Sequence, residues 1–462
     1  MSRVNNHEAF IKLRKSYPFF VYEYFKVNIT YTEINITFCF NLSDKVYFKP
    51  EIKIPVNDEI HADKLSAPLI ENLAFHLGMI EMLSYWKAAC APEIIVKPYQ
   101  LSDSQIAWWK KIYFNGLGEF FFLNSITTDV DSFVNIKTQG NAMPPIANPA
   151  LINANIIPMG GGKDSALTYA LLKETGEDNL VFFLNPQHIP TALIKKDKSE
   201  TKYVKAFREI SPELLELNRQ GFLNGHTPFS ALLAFLSLII SALTNRKNIV
   251  LSNESSANEP TIPCTEINHQ YSKTYAFEND FRNYIQEFVS PSFNYFSFLR
   301  PLNELQIASL FSQHPQFFDT FRSCNAGSKQ GIWCCNCSKC LFTYILLSAF
   351  IDEKRLVEIF GENLYQKNTL KLYFDQLTGL SETKPFDCVG TIDEVNTALV
   401  MAIRKYPLSS PLPYLLSYYK AGPLWEKYHS INPQDLLRQF NEQHFLKESH
   451  VGLLKRRLGI VP

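Results

Sequence analysis

The chain has 462 residues, 46% hydrophobic and 19% charged, which is enough apolar material for two or three domains with large cores and too much for a disordered protein. Lys plus Arg and Asp plus Glu number 45 each, so no net field favours a polyanion, and with no basic run longer than Lys195-Lys196 or Lys455-Arg456-Arg457 a nucleic-acid partner is disfavoured. Met1 to Ser16 lacks the apolar core of a signal peptide, and the apolar run Phe229 to Leu243 is interrupted by serines and shorter than the roughly 20 residues of a membrane helix, so a cytoplasmic chain without a membrane span is expected.

From Phe19 to Val56 apolar and polar residues alternate, as in Val27-Asn28-Ile29-Thr30-Tyr31, which predicts a small antiparallel sheet. From Asp63 to Cys90 the spacing of Leu69, Leu73, Leu77, Ile80 and Leu83 becomes helical, and a second helix is expected over Ser102 to Asn115. Gly116-Leu117-Gly118-Glu119-Phe120 reads as the end of that helix and the start of an apolar strand. Lys137 to Asn155, rich in Gly, Asn and Pro, is the expected boundary after an N-terminal α+β domain.

Asn155 to Leu167 then reads as buried strand, glycine turn and helix start. Three consecutive glycines let the backbone turn sharply and expose N–H groups, and the following helix adds its positive end, so the stretch predicts an anion cradle. It is not a Walker A loop, because Ile157 and Asp164 stand where that motif needs Gly and Ser or Thr. A helix over Ala166 to Lys173 and a strand over Leu180 to Leu184 follow, an order that implies a parallel, helix-covered sheet with ligands at the strands' carboxyl ends. The Phe229–Leu243 helix is expected to be capped by Thr227, with Pro228 in its first turn. After a strand at Asn248 to Leu251, the polar run Ser252 to Glu259 would meet substrate at the same sheet edge, and Glu266 to Lys273 adds His269, Tyr271 and Lys273. Beyond Asp352 amphipathic helices are expected at Lys354 to Phe360, Glu394 to Lys405 and Asp435 to Glu448.

Cys324, Cys334, Cys337 and Cys340 form C-x9-C-x2-C-x2-C, with Cys335 as a spare neighbour. Four thiolates close a tetrahedral zinc site that contributes folding energy and leaves no open catalytic position; an iron–sulfur cluster is the alternative.

Two resemblances gather these signals. Gly160 to Ser165 resembles the PP-loop of N-type ATP pyrophosphatases, Ser-Gly-Gly-x-Asp-Ser, with Gly160 in place of the first serine. Together with Gly116 to Phe120, Glu216 to Gly221, Asn224-Gly225-His226, Asn253 to Ala257, Glu266 to Lys273, Tyr295 to Leu302 and the cysteines, it resembles the UDP-N-acetylmuramoyl-L-alanyl-L-glutamate epimerase family. That resemblance implies an α/β fold with a PP-loop parallel sheet and flanking helices at 146–345, including a zinc element at 324–340. A smaller α+β domain at 1–145 would precede it and a mainly helical region at 346–462 follow. It implies conversion of the terminal L-glutamate of UDP-MurNAc-L-Ala-L-Glu to D-glutamate through an acyl-adenylate, with AMP and pyrophosphate released, beside an L-glutamate-adding ligase in peptidoglycan precursor synthesis. ATP, Mg2+ and a structural Zn2+ are the implied cofactors.

On this reading Gly160, Gly161, Gly162, Lys163, Asp164 and Ser165 hold the pyrophosphate portion, Asp164 helps hold magnesium, and the strand end near Asn185 borders the adenine. His269 and Lys273 are candidate bases, with Glu254 and Glu266 as alternatives. Arg219, Asn224, His226, Asn253 and Arg300 are candidate substrate contacts, an arginine matching a carboxylate or phosphate bidentately. The competing readings are a PP-loop ligase or nitrile synthase that traps the adenylate with ammonia or an amine, a transfer-RNA modifier, and a zinc-stabilised nucleotide sensor without chemistry.

Overall fold

The alternating segment at 19–56 and the apolar runs at 155–158, 180–184 and 248–251 all enter one sheet. A computed structural model describes residues 3–186, 201–324, 326–327 and 330–460; the Lys195-Lys196 pair lies outside them. Its strands are β1 (Phe19–Ile29), β2 (Glu33–Leu42), β3 (Val46–Phe48), β4 (Glu51–Pro55), β5 (Glu93–Val96), β6 (Asn135–Thr138), β7 (Ile152–Pro158), β8 (Asn179–Leu184), β9 (Tyr203–Glu209), β10 (Arg246–Leu251) and β11 (Asn294–Ser297). Among the described residues they run in the order β11-β10-β7-β8-β9-β4-β2-β1-β5-β6, with β3 paired to β2. β7 to β11 are mutually parallel, β1 to β4 antiparallel, and β4 joins the two parts by pairing antiparallel with β9.

The turn-rich segment expected as a domain boundary does lack regular structure from 142 to 151, yet sheet and core both run across it. Alternate strand residues explain why. Ile156, Leu180, Phe182, Val204 and Ile249 face a core shared with Phe20, Phe38, Leu73 and the Phe229–Leu243 and Tyr275–Phe288 helices. Ile157, Val181, Phe183, Val250 and Phe296 face a second core built with the Lys163–Lys173, Glu304–Phe311 and Ser338–Ser348 helices and the C-terminal helices. Both faces of the parallel half are therefore covered, as parallel strands require. A buried bidentate pair from Arg208 to Glu81, at 2.8 and 2.9 Å, pins β9 to the Ala67–Glu81 helix.

Three local expectations are corrected. Gly118–Leu123 is a short helix, not a strand, because Leu117, Phe120 and Phe121 pack at helical spacing into the first core. Thr227 does not cap the Phe229–Leu243 helix; Pro228 occupies the N-cap, and no side chain hydrogen-bonds there. Asp435 to Glu448 is two helices, Gln434–Leu437 and Glu448–Arg457, separated by extended chain. Asn303 and Gln306 donate to the carbonyls of Leu436, Leu437 and Gln439, and Asn441 N–H donates to Pro301, so tertiary hydrogen bonds replace helical ones. Among the described residues no helix is long and apolar enough to cross a membrane.

Candidate active site

β7 is followed in the sheet by β8 on one side, while the later β10 lies on its other side, so the connections leaving β7 and β10 diverge at their carboxyl ends. Such a switch point opens a crevice in any parallel sheet. Here it is a cavity of about 300 Å³ reached by Pro158 and Gly160 after β7, and by Leu251, Ser252, Asn253 and Glu254 after β10.

The glycine loop closes one end. Gly161 has φ +92°, a conformation in which a side chain is strained, and its carbonyl accepts the Arg322 N–H at 2.9 Å. A Cβ on Gly162 would lie 3.1 Å from the Ser323 hydroxyl, whereas one on Gly160 would meet nothing within 4 Å. Gly162 is the N-cap of the Lys163–Lys173 helix, so that helix directs its positive end at the loop. Lys163 is buried at 3% exposure, its ammonium 2.5 Å from both Asp164 Oδ1 and Glu304 Oε2. Burial alone would lower its pKa, but the two carboxylates outweigh burial and hold it above the ordinary lysine value. Asp164, Glu254 and Glu304 bring three carboxylates to the cavity lining, two of them paired with Lys163.

The cavity wall also carries Lys273, Cys388, Arg322 and Lys339. Arg300, expected to meet substrate, instead lies fully buried behind this wall. It pairs with Glu278 at 2.8 Å and donates at 2.6 Å to the backbone carbonyls of both Glu254 and Lys273, stapling together the two loops that present those side chains. Glu254 is itself buried, which raises its carboxyl pKa despite Lys273 nearby.

From Lys273 a chain of polar groups runs inward. Its ammonium donates to Cys388 Sγ at 3.2 Å, the His269 imidazole hydrogen-bonds the same sulfur, and His269 Nδ1 lies 2.5 Å from Glu119 Oε2. Burial would raise the Cys388 pKa, but Lys273, Lys339 and His269 bring it well below the ordinary thiol value. Burial likewise opposes the His269 charge, yet Cys388 and Glu119 lift its pKa to about 9. The His226 ring lies tilted at 42° to His269, centroids 4.3 Å apart, and burial drives its pKa to about 3, hence neutral. Glu119, His226 and His269 stand within 4.8 Å of one another, but the nearby ammonium groups of Lys87 and Lys273 disfavour a metal cation between them. The Cys388 turn is held from both sides, by Ser338 donating to Asp387 and by Gln270 donating to the Val389 carbonyl at 3.1 Å.

Of the residues expected from sequence, Gly160, Gly162, Lys163, Asp164, Ser165, Asn253, Glu254 and Lys273 line the cavity. His269 reaches it through Cys388. Arg219 does not: it is 74% exposed and pairs with Glu216 on its own helix. Asn224 is exposed and organises the loop that carries His226, and Glu266 is exposed. The Asn185 side chain ties the end of β8 to Arg208 rather than lining the cavity. Sequence reading missed Glu304, Arg322, Lys339 and Cys388, for which no motif exists, and took Glu119 for capping chemistry.

The cysteine element forms the cavity's outer wall. Sγ distances are 4.0 Å for Cys324–Cys337, 3.6 Å for Cys334–Cys340 and 3.5 Å for Cys337–Cys340. A tetrahedral ion with bonds of about 2.3 Å places its sulfurs ~3.8 Å apart, so four thiolates here fit one zinc. An iron–sulfur cluster interposes several atoms and would need wider spacing. Cys335 points away, donating to the Phe360 carbonyl at 3.1 Å, so the fourth thiol of the group is Cys334. Arg322, Ser323 and Lys339, from the segments that carry these thiols, face the cavity.

Family models match most of the chain: the MurL N-terminal domain over residues 12–298 and the MurL C-terminal domain over residues 320–410. A relative from Xanthomonas oryzae pv. oryzae (strain MAFF 311018) is 34% identical over 333 residues, 70% of this chain and 73% of its own. One from Micromonospora sp. (strain ATCC 39149 / NRRL 15099 / SCC 1413) is 33% identical over 361 residues, 76% of this chain and 79% of its own. Both carry the name UDP-N-acetyl-alpha-D-muramoyl-L-alanyl-L-glutamate epimerase. No solved structure matches.

Proposed function

Because the chain belongs to the UDP-N-acetyl-alpha-D-muramoyl-L-alanyl-L-glutamate epimerase family, we propose that it inverts the α-carbon of the terminal glutamate in UDP-MurNAc-L-Ala-L-Glu at the expense of ATP. The observation that carries this reading is one cavity lined both by the glycine loop with Lys163 and by the buried Glu254 and Lys273.

The chemistry explains why both are needed together. An ionised carboxylate strongly disfavours a carbanion at its own α-carbon, whereas an acyl-adenylate removes that charge and makes the α-proton far more acidic. We read Gly160 to Ser165 as a PP-loop whose N–H groups and Lys163 ammonium stabilise the departing pyrophosphate. Asp164 would help hold the magnesium that neutralises phosphate charge. Glu254 and Lys273 are then the acid and base within reach of the acyl group, Glu254 favoured by a pKa already raised toward neutrality by burial. Asn253 and Lys339 line the cavity where substrate carboxylate and phosphate would be met, whereas the Arg322 guanidinium donates to the Gly331 and Phe321 carbonyls. A zinc ion on Cys324, Cys334, Cys337 and Cys340 would be structural. The substrate's L-glutamate requires a ligase that adds it, beside which this enzyme would work in the cytoplasm.

Incubation with UDP-MurNAc-L-Ala-L-Glu and ATP in deuterated water should give α-deuterated D-glutamate product with one AMP per turnover. Unlabelled product, or AMP release that depends on added ammonia without α-exchange, would replace this reading by the ligase or nitrile synthase. Gly160→Ser should fold as the parent does and leave the KM for ATP equal or lower, since its side chain enters open space. Gly161→Ala should raise that KM severalfold, because alanine at φ +92° is strained by about 1–2 kcal/mol and the loop must shift.

A further inference from the structure

We propose that Cys388 is a nucleophile, taking the glutamyl group from the adenylate as an enzyme-bound thioester on which the α-carbon is inverted. The inference rests on the adenylation reading above and adds a covalent intermediate to it.

Three observations converge on this sulfur. First, Cys388 lines the same cavity as the glycine loop, so an acyl group activated there needs no transfer to a second chamber. Second, Glu119, His269 and Cys388 stand in the order orienting carboxylate, imidazole, nucleophile, with Glu119 fixing His269 through a 2.5 Å contact to Nδ1. The His269 backbone N–H is itself held by Thr261 Oγ1 at 3.0 Å, so the ring has little freedom to turn from the sulfur. Third, the Lys273 ammonium approaches the sulfur to 3.2 Å. A sulfur beside the Lys273 ammonium and the His269 imidazole gives up its proton more readily than an ordinary thiol and binds protons weakly. That combination is poor for abstracting a proton from carbon and good for attacking an acyl carbon, because nucleophilicity falls less steeply than basicity as a thiol's pKa falls.

The step balances without another reagent. The Sγ lone pair attacks the acyl carbon, the S–C bond forms, the C–O bond to the phosphate breaks, and AMP leaves with the electron pair. Water later cleaves the S–C bond, returning the thiolate and releasing the product carboxylate with two protons. Acylation also changes the neighbours. It removes one of the negative charges that hold the Lys273 proton, Glu254 and Asp164 being the others, so the buried ammonium gives up its proton more readily than before acylation. Thioester formation would in this way convert Lys273 from a counter-ion into a base beside the α-carbon it must deprotonate. His269 and Glu119 are positioning residues in this scheme.

The test quenches wild-type enzyme in acid after millisecond to second reaction with UDP-MurNAc-L-Ala-L-Glu and ATP, followed by peptide mass spectrometry. The Cys388 peptide should carry the substrate's mass less one water, removable by hydroxylamine. Cys388→Ser and Cys388→Ala should keep substrate-dependent exchange of labelled pyrophosphate into ATP while losing α-deuterium incorporation by at least about 10³-fold. Absence of the adduct at every quench time, or a Cys388→Ala enzyme that incorporates α-deuterium within tenfold of wild type, overturns the thioester. The adduct is read on the unaltered chain, so a variant that fails to fold does not decide the matter. Absence of pyrophosphate exchange in the wild type would instead overturn the adenylation reading, and this inference with it.

Discussion

Lys163→Met should lower ATP-dependent α-exchange by about 10³-fold or more and, separately, destabilise the fold by about 3–5 kcal/mol. The first effect follows from the place of the ammonium at the end of the glycine loop, where pyrophosphate charge would develop. The second follows from what Lys163 leaves behind. Glu304 is buried at 3% exposure and takes the ammonium at 2.5 Å, so its carboxylate would be stranded in the second core. The two effects separate in a double variant. Lys163→Met/Glu304→Gln should recover most of the stability in urea titration, because the stranded charge is gone, and none of the activity. A single variant as stable as the parent would refute the buried-pair argument; an active double variant would refute the catalytic one.

Removal of the metal should have a comparable reach. Purified protein is expected to carry one zinc per chain by elemental analysis, and Cys337→Ala to carry none. Structural zinc contributes about 10–16 kcal/mol in peptides that depend on it wholly; here a large core persists around the element, so a folded but loosened protein with a lower Tm is expected. Its activity should fall further than its stability. Arg322 and Ser323 precede Cys324, Lys339 sits between Cys337 and Cys340, and the Arg322 N–H holds the Gly161 carbonyl at 2.9 Å. A wall that loses its four-thiolate anchor releases both the cations and the glycine loop. Chelator-inactivated enzyme should regain α-exchange with Zn2+; iron in stoichiometric amount would overturn the zinc assignment, and full activity after complete metal removal would overturn the coupling between the element and the cavity.

Within the sequence, what was legible is what neighbouring residues encode. The Phe229–Leu243 helix is found at the bounds its apolar run predicts, and Ser102 caps the Asp103–Gly116 helix with its hydroxyl and Gln105. The glycine run announces strand, tight turn and helix because only that chemistry suits φ +92° beside a helix N-cap. Cysteine spacing brings four thiols together because a Cys-x-x-Cys turn does so locally. Short-range logic failed where long-range contacts took over. The Asp435 to Glu448 periodicity gave way to hydrogen bonds from Asn303 and Gln306, and Arg300, whose type suggested substrate, was claimed by Glu278.

The sequence alone determined the parallel α/β core, the glycine turn at its edge, the thiol cluster and, by resemblance, the family. Only the tertiary structure decided that the N-terminal strands continue the same sheet, and which charges meet at its switch point. Lys163 finds Glu304 across 141 positions, His269 finds Glu119 across 150, and Lys273 finds Cys388 across 115. No local pattern marks those partners, because a buried charge is matched by whatever the packed elements bring within a few ångströms of it.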